Sequence, residues 1–275
     1  MSNKKKNKSA KKHVSLTKNQ LVSKIQRTNL KDTLKKVYFD EISLETNMTC
    51  KCICCKVAMP QMNYSEFLQM ITDIWSKWTT SEKVDIICNS IEYHFKNDFE
   101  KWGIQSLVKP CMLQGKDGLC KCYDNRPLSC RLYGVWPHDE YEKRVDRFAK
   151  AYEKFGLKRE DLPLFNQCPL VERIDKSKDL NMEIISELYS KLDSIDKRIG
   201  EFSALEIQQK HNYRTFHDWI MYKVFGSEWL SSLTNFMMAA TREQLEDQLT
   251  ALKITVRASF DKMDELVKDS IGDGQ

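Results

Sequence analysis

Four cysteines crowd into six residues of this chain, at Cys50, Cys52, Cys54 and Cys55, and five more follow at Cys111, Cys120, Cys122, Cys130 and Cys168. A free cysteine packs as a small hydrophobe and gains nothing from clustering. The crowd therefore points to thiolate chemistry, either disulfides or a metal. Disulfides are the weaker choice. The lysine-rich beginning of the chain is followed by no apolar run of signal-peptide type, and no run reaches the length of a membrane-spanning helix. The expected address is cytoplasmic, where thiols stay reduced. Adjacent Cys54 and Cys55 also cannot readily pair with each other in ordinary disulfide geometry. Composition and spacing together predict a metal centre.

The spacing bears on which metal. In extended backbone, residues i and i+2 lie about 6.6 Å apart on one face, whereas two thiolates on one tetrahedral zinc approach to roughly 3.8 Å. Cys50-x-Cys52-x-Cys54 thus suits a cluster, or two sites, better than a single zinc knuckle, although a bent backbone can bring such a pair onto one zinc. Iron–sulfur clusters are held by thiolates at wider spread. Downstream, Asp117-Gly118 is a turn signal that can return Cys120 towards Cys111. Asp124 or Asn125 can cap a helix with Pro127 in its first turn. That puts Cys130 at a helix start, where N–H groups favour a thiolate. Arg126 and Arg131 flank Cys130, where guanidinium groups would offset the negative charge of a thiolate site and donate to its sulfurs. Cys88 lies on an apolar helical stripe and reads as core.

These residues carry a resemblance. Cys54-Cys55, Cys111-Met-Leu, Cys120-Lys-Cys-Tyr123, Arg126-Pro127, Cys130-Arg131 and the late Cys168-Pro169 resemble the pattern of the YkgJ-like (CxxCxxCC) cysteine-cluster family, described as a zinc- or iron-chelating domain. The likeness covers about residues 47 to 172. The first cluster is more compact than the family's, and Cys122 stands where the family has an apolar residue. The resemblance implies eight metal-ligating cysteines: Cys50, Cys52, Cys54, Cys55, Cys111, Cys120, Cys130 and Cys168. It implies an iron–sulfur cluster first, because the branch of flagellin lysine-N-methylases is regarded as iron–sulfur, with Zn2+ as the alternative.

Helices must position these residues. Leu16 to Tyr38 holds a short, weakly amphipathic helix. Ser65 opens another, with Phe67, Met70, Ile71, Ile74, Trp75 and Trp78 at the spacing of a buried stripe. A third runs from about Ser81 to Trp102, with Val84, Ile87, Cys88, Ile91 and Phe95 on one face and Gly103 as its stop. Residues 104 to 137 are mostly turns with one short helix, and Glu140 to Phe155 is helical. Past Lys178 the periodicity is helical almost throughout. Ile185, Leu188, Leu192, Ile195 and Ile199 share a face that ends at Gly200. Thr241 with Gln244 is a capping-box start, and the stripe from Leu245 to Met263 predicts one helix near 27 residues, roughly 40 Å long. No alternating strand pattern appears. The expected fold is mainly α: an irregular cysteine-rich metal-binding core with surrounding helices and a C-terminal helical region.

Net charge divides the chain. Residues 1 to 36 hold twelve Lys+Arg and one acid, a local charge of +11, which leaves −6 for the rest. The expected organisation is a basic, largely disordered tail (1–36), a cysteine-cluster domain (37–175) and a helical region (176–275). Enzymatic signatures are missing. Val57 stands where a radical-SAM triad would need its third cysteine, and the nine glycines form neither a dinucleotide fingerprint nor a P-loop. His211 and His217, six apart, fall on different helical faces. His94 lies beside a buried stripe, and His138 follows the cysteine segment as a candidate ligand or proton-transfer group. Two functions stay open: an iron–sulfur protein of redox or group-transfer chemistry, or a structural zinc protein whose helical half binds a protein partner. Nucleic-acid association through the lysine-rich tail is a third and weaker reading.

Overall fold

The computed structural model describes residues 29–40, 42–45, 54–56, 59–107, 109–161, 173–174 and 179–271. Residues 1–28, which hold most of the tail expected at 1–36 and the first part of the helix expected from Leu16, lie outside these, as do Cys50, Cys52 and Cys168. Among the described residues the fold is predominantly α-helical, and no helix is long and apolar enough to cross a membrane.

Helix α1 (Leu30–Phe39) buries Leu30, Leu34, Val37 and Tyr38, the i, i+4, i+7, i+8 face of an amphipathic helix. Helix α2 (Tyr64–Lys77) buries Phe67, Met70, Ile71, Ile74 and Trp75, the stripe expected from spacing. It starts ahead of Ser65, because Asn63 is the N-cap and its backbone N–H donates to Glu66 Oε2 at 2.9 Å. Helix α3 (Thr80–Phe95) is capped by Thr79 and Glu82. The single helix expected to Trp102 is interrupted, and a short α4 (Phe99–Trp102) restarts from the cap Asp98. Both pieces bury aromatic rings, Phe95 and Trp102, in the same core. The apolar period therefore runs on across the break and conceals it.

Two short strands, β1 (Gln61–Asn63) and β2 (Tyr213–Thr215), pair antiparallel with Asn63 opposite Tyr213. They join sequence positions some 150 apart, and three residues each are too few to show alternation. Past the loop that holds helices α5 (Leu128–Leu132) and α6 (His138–Tyr152), helix α7 (Met182–Ile199) packs on α1 and α2. Its buried face is the expected Ile185, Leu188, Leu192, Ile195 and Ile199, and Gly200 closes it at φ +80°, where a side chain would be strained.

The centre is aromatic. After helix α8 (Ala204–Gln208) comes α9 (Phe216–Phe225), whose Trp219 is fully buried, 5.1 Å from Tyr64 and 5.7 Å from Phe67 by ring centroids. The indole N–H donates to Met62 O at 3.1 Å. Burying such a ring removes about 200 Å² of surface, roughly 5 kcal/mol of transfer free energy. Helix α9 packs on α3, as does α11 (Arg242–Ala258), which follows α10 (Ser227–Ala239). Cys88 of α3 is core there, its thiol 4.0 Å from Lys253 O. The expected 27-residue helix is two, α11 and α12 (Phe260–Ile271), divided at Ser259.

The core is corrected in one respect. It is apolar and aromatic rather than a cysteine-rich metal-binding centre, and no such centre occurs among the described residues.

Candidate ligand-binding cavity

A cavity of about 510 Å³ opens between the 111–136 loop, α6, α7 and the strand pair. Local chemistry shapes its walls. Gly118 adopts φ +80°, the Leu119 N–H donates to Asp117 Oδ1 at 3.0 Å, and Lys121 N–H donates to Leu113 O at 2.9 Å. This turn pairs Gln114 with Cys120 and returns Cys120 towards Cys111, as the Asp117-Gly118 signal predicts. The Cys111 N–H donates to Cys55 O at 2.5 Å and so ties in the Cys54–Lys56 turn. Pro127, not Asp124 or Asn125, is the N-cap of α5, because Tyr123–Asn125 forms a 3-10 turn of its own.

Cys55, Cys111, Cys120 and Cys130, four of the eight cysteines picked out from sequence, line this one cavity. Cys50, Cys52 and Cys168 lie outside the described residues, and of Cys54 only the backbone is described. Cys122 is absent from the lining: it is buried, with Asp73 and Lys77 near enough for their charges to act on it, and burial pushes its thiol far up.

The metal reading is corrected here. Among the described residues no group of three or more His, Cys, Asp or Glu side chains could hold a metal ion. Thiolates sharing a zinc must approach one another to roughly 3.8 Å, and lining one cavity of this size does not require that. Neither the iron–sulfur cluster nor Zn2+ is supported, whether for redox and group transfer or as a structural staple. No family model, no curated protein and no solved structure matches the chain. The resemblance to the chelating cysteine-cluster family is therefore not upheld. Its first cluster already departed from the family spacing.

The two arginines flanking Cys130 part company. Arg131 is 5% exposed and absent from the cavity lining. It donates from Nε to Arg126 O at 2.9 Å and from Nη2 to Asp124 O at 2.8 Å, with its guanidinium 4.5 Å from the Tyr38 ring centroid. It holds the loop to α1. Arg126 lines the cavity, stacked 3.6 Å from the Tyr123 centroid, with Nε donating to Tyr123 O at 3.1 Å.

The rest of the lining was not picked out from sequence as a site. Met59, Met70, Tyr123, Trp136, Tyr189 and Tyr213 contribute apolar surface, and α6 presents Tyr141, Arg144, Val145 and Phe148. The last four follow i, i+3, i+4, i+7, so one helix face was legible. Nothing in the chain indicates that Tyr189 and Tyr213, with hydroxyls 3.4 Å apart, meet there. The hydroxyls of Tyr123 and Tyr141 are buried without a hydrogen-bond partner among the described residues.

A buried carboxylate braces one wall. Glu66 Oε1 accepts from Tyr38 OH and from Leu128 N–H, each at 2.6 Å. The start of α5, which carries Ser129 and Cys130, is thereby tied to α1 and α2. Burial pushes the Glu66 carboxyl up to about 7 against these donors. The histidines considered from sequence stand outside the cavity lining. His211 is exposed, and His217 is buried and pushed down to about 4 by that burial. His94 Nδ1 lies 3.2 Å from Asp218 Oδ1, and His138 is exposed at the start of α6.

Proposed function

We propose that this chain is a small-molecule-binding protein and that its ligand occupies the cavity lined by Cys55, Cys111, Cys120 and Cys130. The observation that carries this reading is the cavity itself: about 510 Å³ with a mainly aromatic, aliphatic and sulfur lining. Sites for small ligands fall in the range of about 300–1,000 Å³ and combine such a lining with a few polar groups. Cysteine and methionine sulfurs are polarisable and suit an aromatic body. In this reading the cysteines contribute shape and soft contact. We take the address to be cytoplasmic, supported by the buried thiols Cys88, Cys111 and Cys122, which stand outside any disulfide.

Filling the space tests the reading. Val145 is buried on α6 and lines the cavity. Val145→Phe is expected to weaken binding of a neutral fluorescent aromatic probe, phenyl-naphthylamine, by about tenfold or more at preserved helicity, as a blocked pocket loses most of its apolar contact. Equal probe affinity in the variant, with circular dichroism unchanged, would refute the cavity as the binding site.

A further inference from the structure

Among the described residues, the charged side chains that line the cavity are of one sign. Its described lining includes Arg126 and Arg144 and no aspartate, glutamate or lysine. Neither arginine has a carboxylate partner among the described residues. Arg126 spends one nitrogen on Tyr123 O and lays its face on the Tyr123 ring, while Arg144 lies 4.6 Å from the Trp136 centroid. Stacking occupies the flat face of a guanidinium and leaves the donors along its edge available, which is the geometry that receives a planar anion. The terminal nitrogens of Arg126 have no hydrogen-bond partner among the described residues. Tyr189 and Tyr213 on the cavity wall feel the charge of Glu66 behind them and, less strongly, that of Arg144. The hydroxyls of Tyr123 and Tyr141 are buried and without a partner among the described residues, so they face protein and not the open volume, and the donors left for an anion are those of the two arginines.

Resting on the binding reading above, we infer that the ligand is an anion with an aromatic body: a carboxylate, sulfonate or phosphate whose charged group meets Arg126 and whose ring packs among the cavity's aromatic and sulfur side chains. Arg144, exposed on α6, stands at the mouth and draws the anion in. Arg126, half-buried, anchors it.

Anilinonaphthalene sulfonate and phenyl-naphthylamine share one aromatic body and differ by the sulfonate, so the ratio of their affinities for the full chain isolates the anionic group. The basic residues 1–36 also attract a sulfonate, so Val145→Phe sets the background for both probes. Above that background the sulfonate is expected to bind at least about tenfold tighter than its neutral counterpart, the range for a charge-assisted hydrogen bond. In Arg126→Gln that ratio is expected to fall about tenfold, Arg126→Lys is expected to restore part of it, and Arg144→Gln is expected to lower it less and mainly at low salt. A neutral probe bound as tightly as the sulfonate would overturn the anion and leave the cavity standing. A ratio that survives Arg126→Gln would overturn Arg126 as the anchor. Affinities for both probes that ignore Val145→Phe would overturn the cavity reading and this inference with it.

Discussion

Two regions of this molecule hold charged groups, and they partner them in different ways. Where α2 starts, Asp196 accepts from Ser65 N–H at 2.8 Å, Tyr64 N–H at 3.2 Å, Asn63 Nδ2 at 3.2 Å and Asn212 Nδ2 at 2.7 Å. Glu66, one turn on, accepts from Tyr38, Leu128 and Asn63. Each carboxylate collects donors from several elements and fastens them together. In the cavity the charges are guanidinium groups laid on aromatic rings, without a carboxylate partner among the described residues. The Asp196 cluster also leaves Asn63 Oδ1, Tyr64 OH, Ser65 Oγ and Asn212 Oδ1 without partners among the described residues, so the contrast lies in the charges. A carboxylate ringed by donors holds a fold, and a guanidinium without a counter-charge can receive an anion the chain itself does not supply. The cysteines divide in the same way. Cys88 and Cys122 are packed into the interior, while Cys55, Cys111, Cys120 and Cys130 face open volume.

The contrast can be broken most directly at Asp196. Asp196→Ala strands the donors of Ser65, Tyr64, Asn63 and Asn212 in the interior, and urea unfolding is expected to show a loss of roughly 3 kcal/mol or more. A loss under about 1 kcal/mol, the size of an ordinary surface change, would mean the network is not what holds α2 to α7.

Glu66 sharpens the comparison through pH. Its folded-state pKa of about 7 lies above the ordinary 4.5, so the folded protein holds this proton more tightly than the unfolded chain. Its contribution is therefore most favourable below about pH 4.5 and is lost as pH rises through about 7, by roughly 3 kcal/mol across that window. The titratable groups that its charge reaches are Tyr38, Arg131, Asp196, Tyr189 and Tyr213. In Glu66→Gln the difference in unfolding free energy between pH 5 and pH 8 is expected to shrink by about that amount. An unchanged difference would place the titration elsewhere.

The smallest effects separate packed from open space. Ile91 is fully buried in the aromatic core, and Ile91→Phe is expected to cost about 1–3 kcal/mol from overpacking. Val145→Phe adds more bulk still, beside the cavity, and is expected to cost less than about 1 kcal/mol. Equal costs in thermal or urea unfolding would mean that the cavity is not open to a ring.

Much of the helical framework was legible. The stripes of α2 and α7 bury as read, and Thr241 with Gln244 caps α11, the Gln244 N–H donating to Thr241 Oγ1 at 3.3 Å. The breaks at Asp98 and Ser259 were not, because the pieces on either side bury apolar faces in one core and keep one period. The site was half legible. The turn at Gly118 and the crowding of Cys111, Cys120 and Cys130 are local, and local chemistry can be read from spacing. Whether thiols converge on a point or spread along a wall depends on distances between segments, which spacing does not contain.

By itself, then, the sequence determined most of the helical segments, their buried faces and the Thr241–Gln244 cap, since propensity, capping and periodicity act over a few residues. Only the tertiary structure decided that Arg126 turns into the cavity while Arg131 turns to α1, that Tyr189 meets Tyr213, and that Cys55, Cys111, Cys120 and Cys130 line a space in which no metal group forms among the described residues. Those outcomes follow from how α6, α7 and the strand pair pack around the 111–136 loop, and packing is settled by the whole core at once.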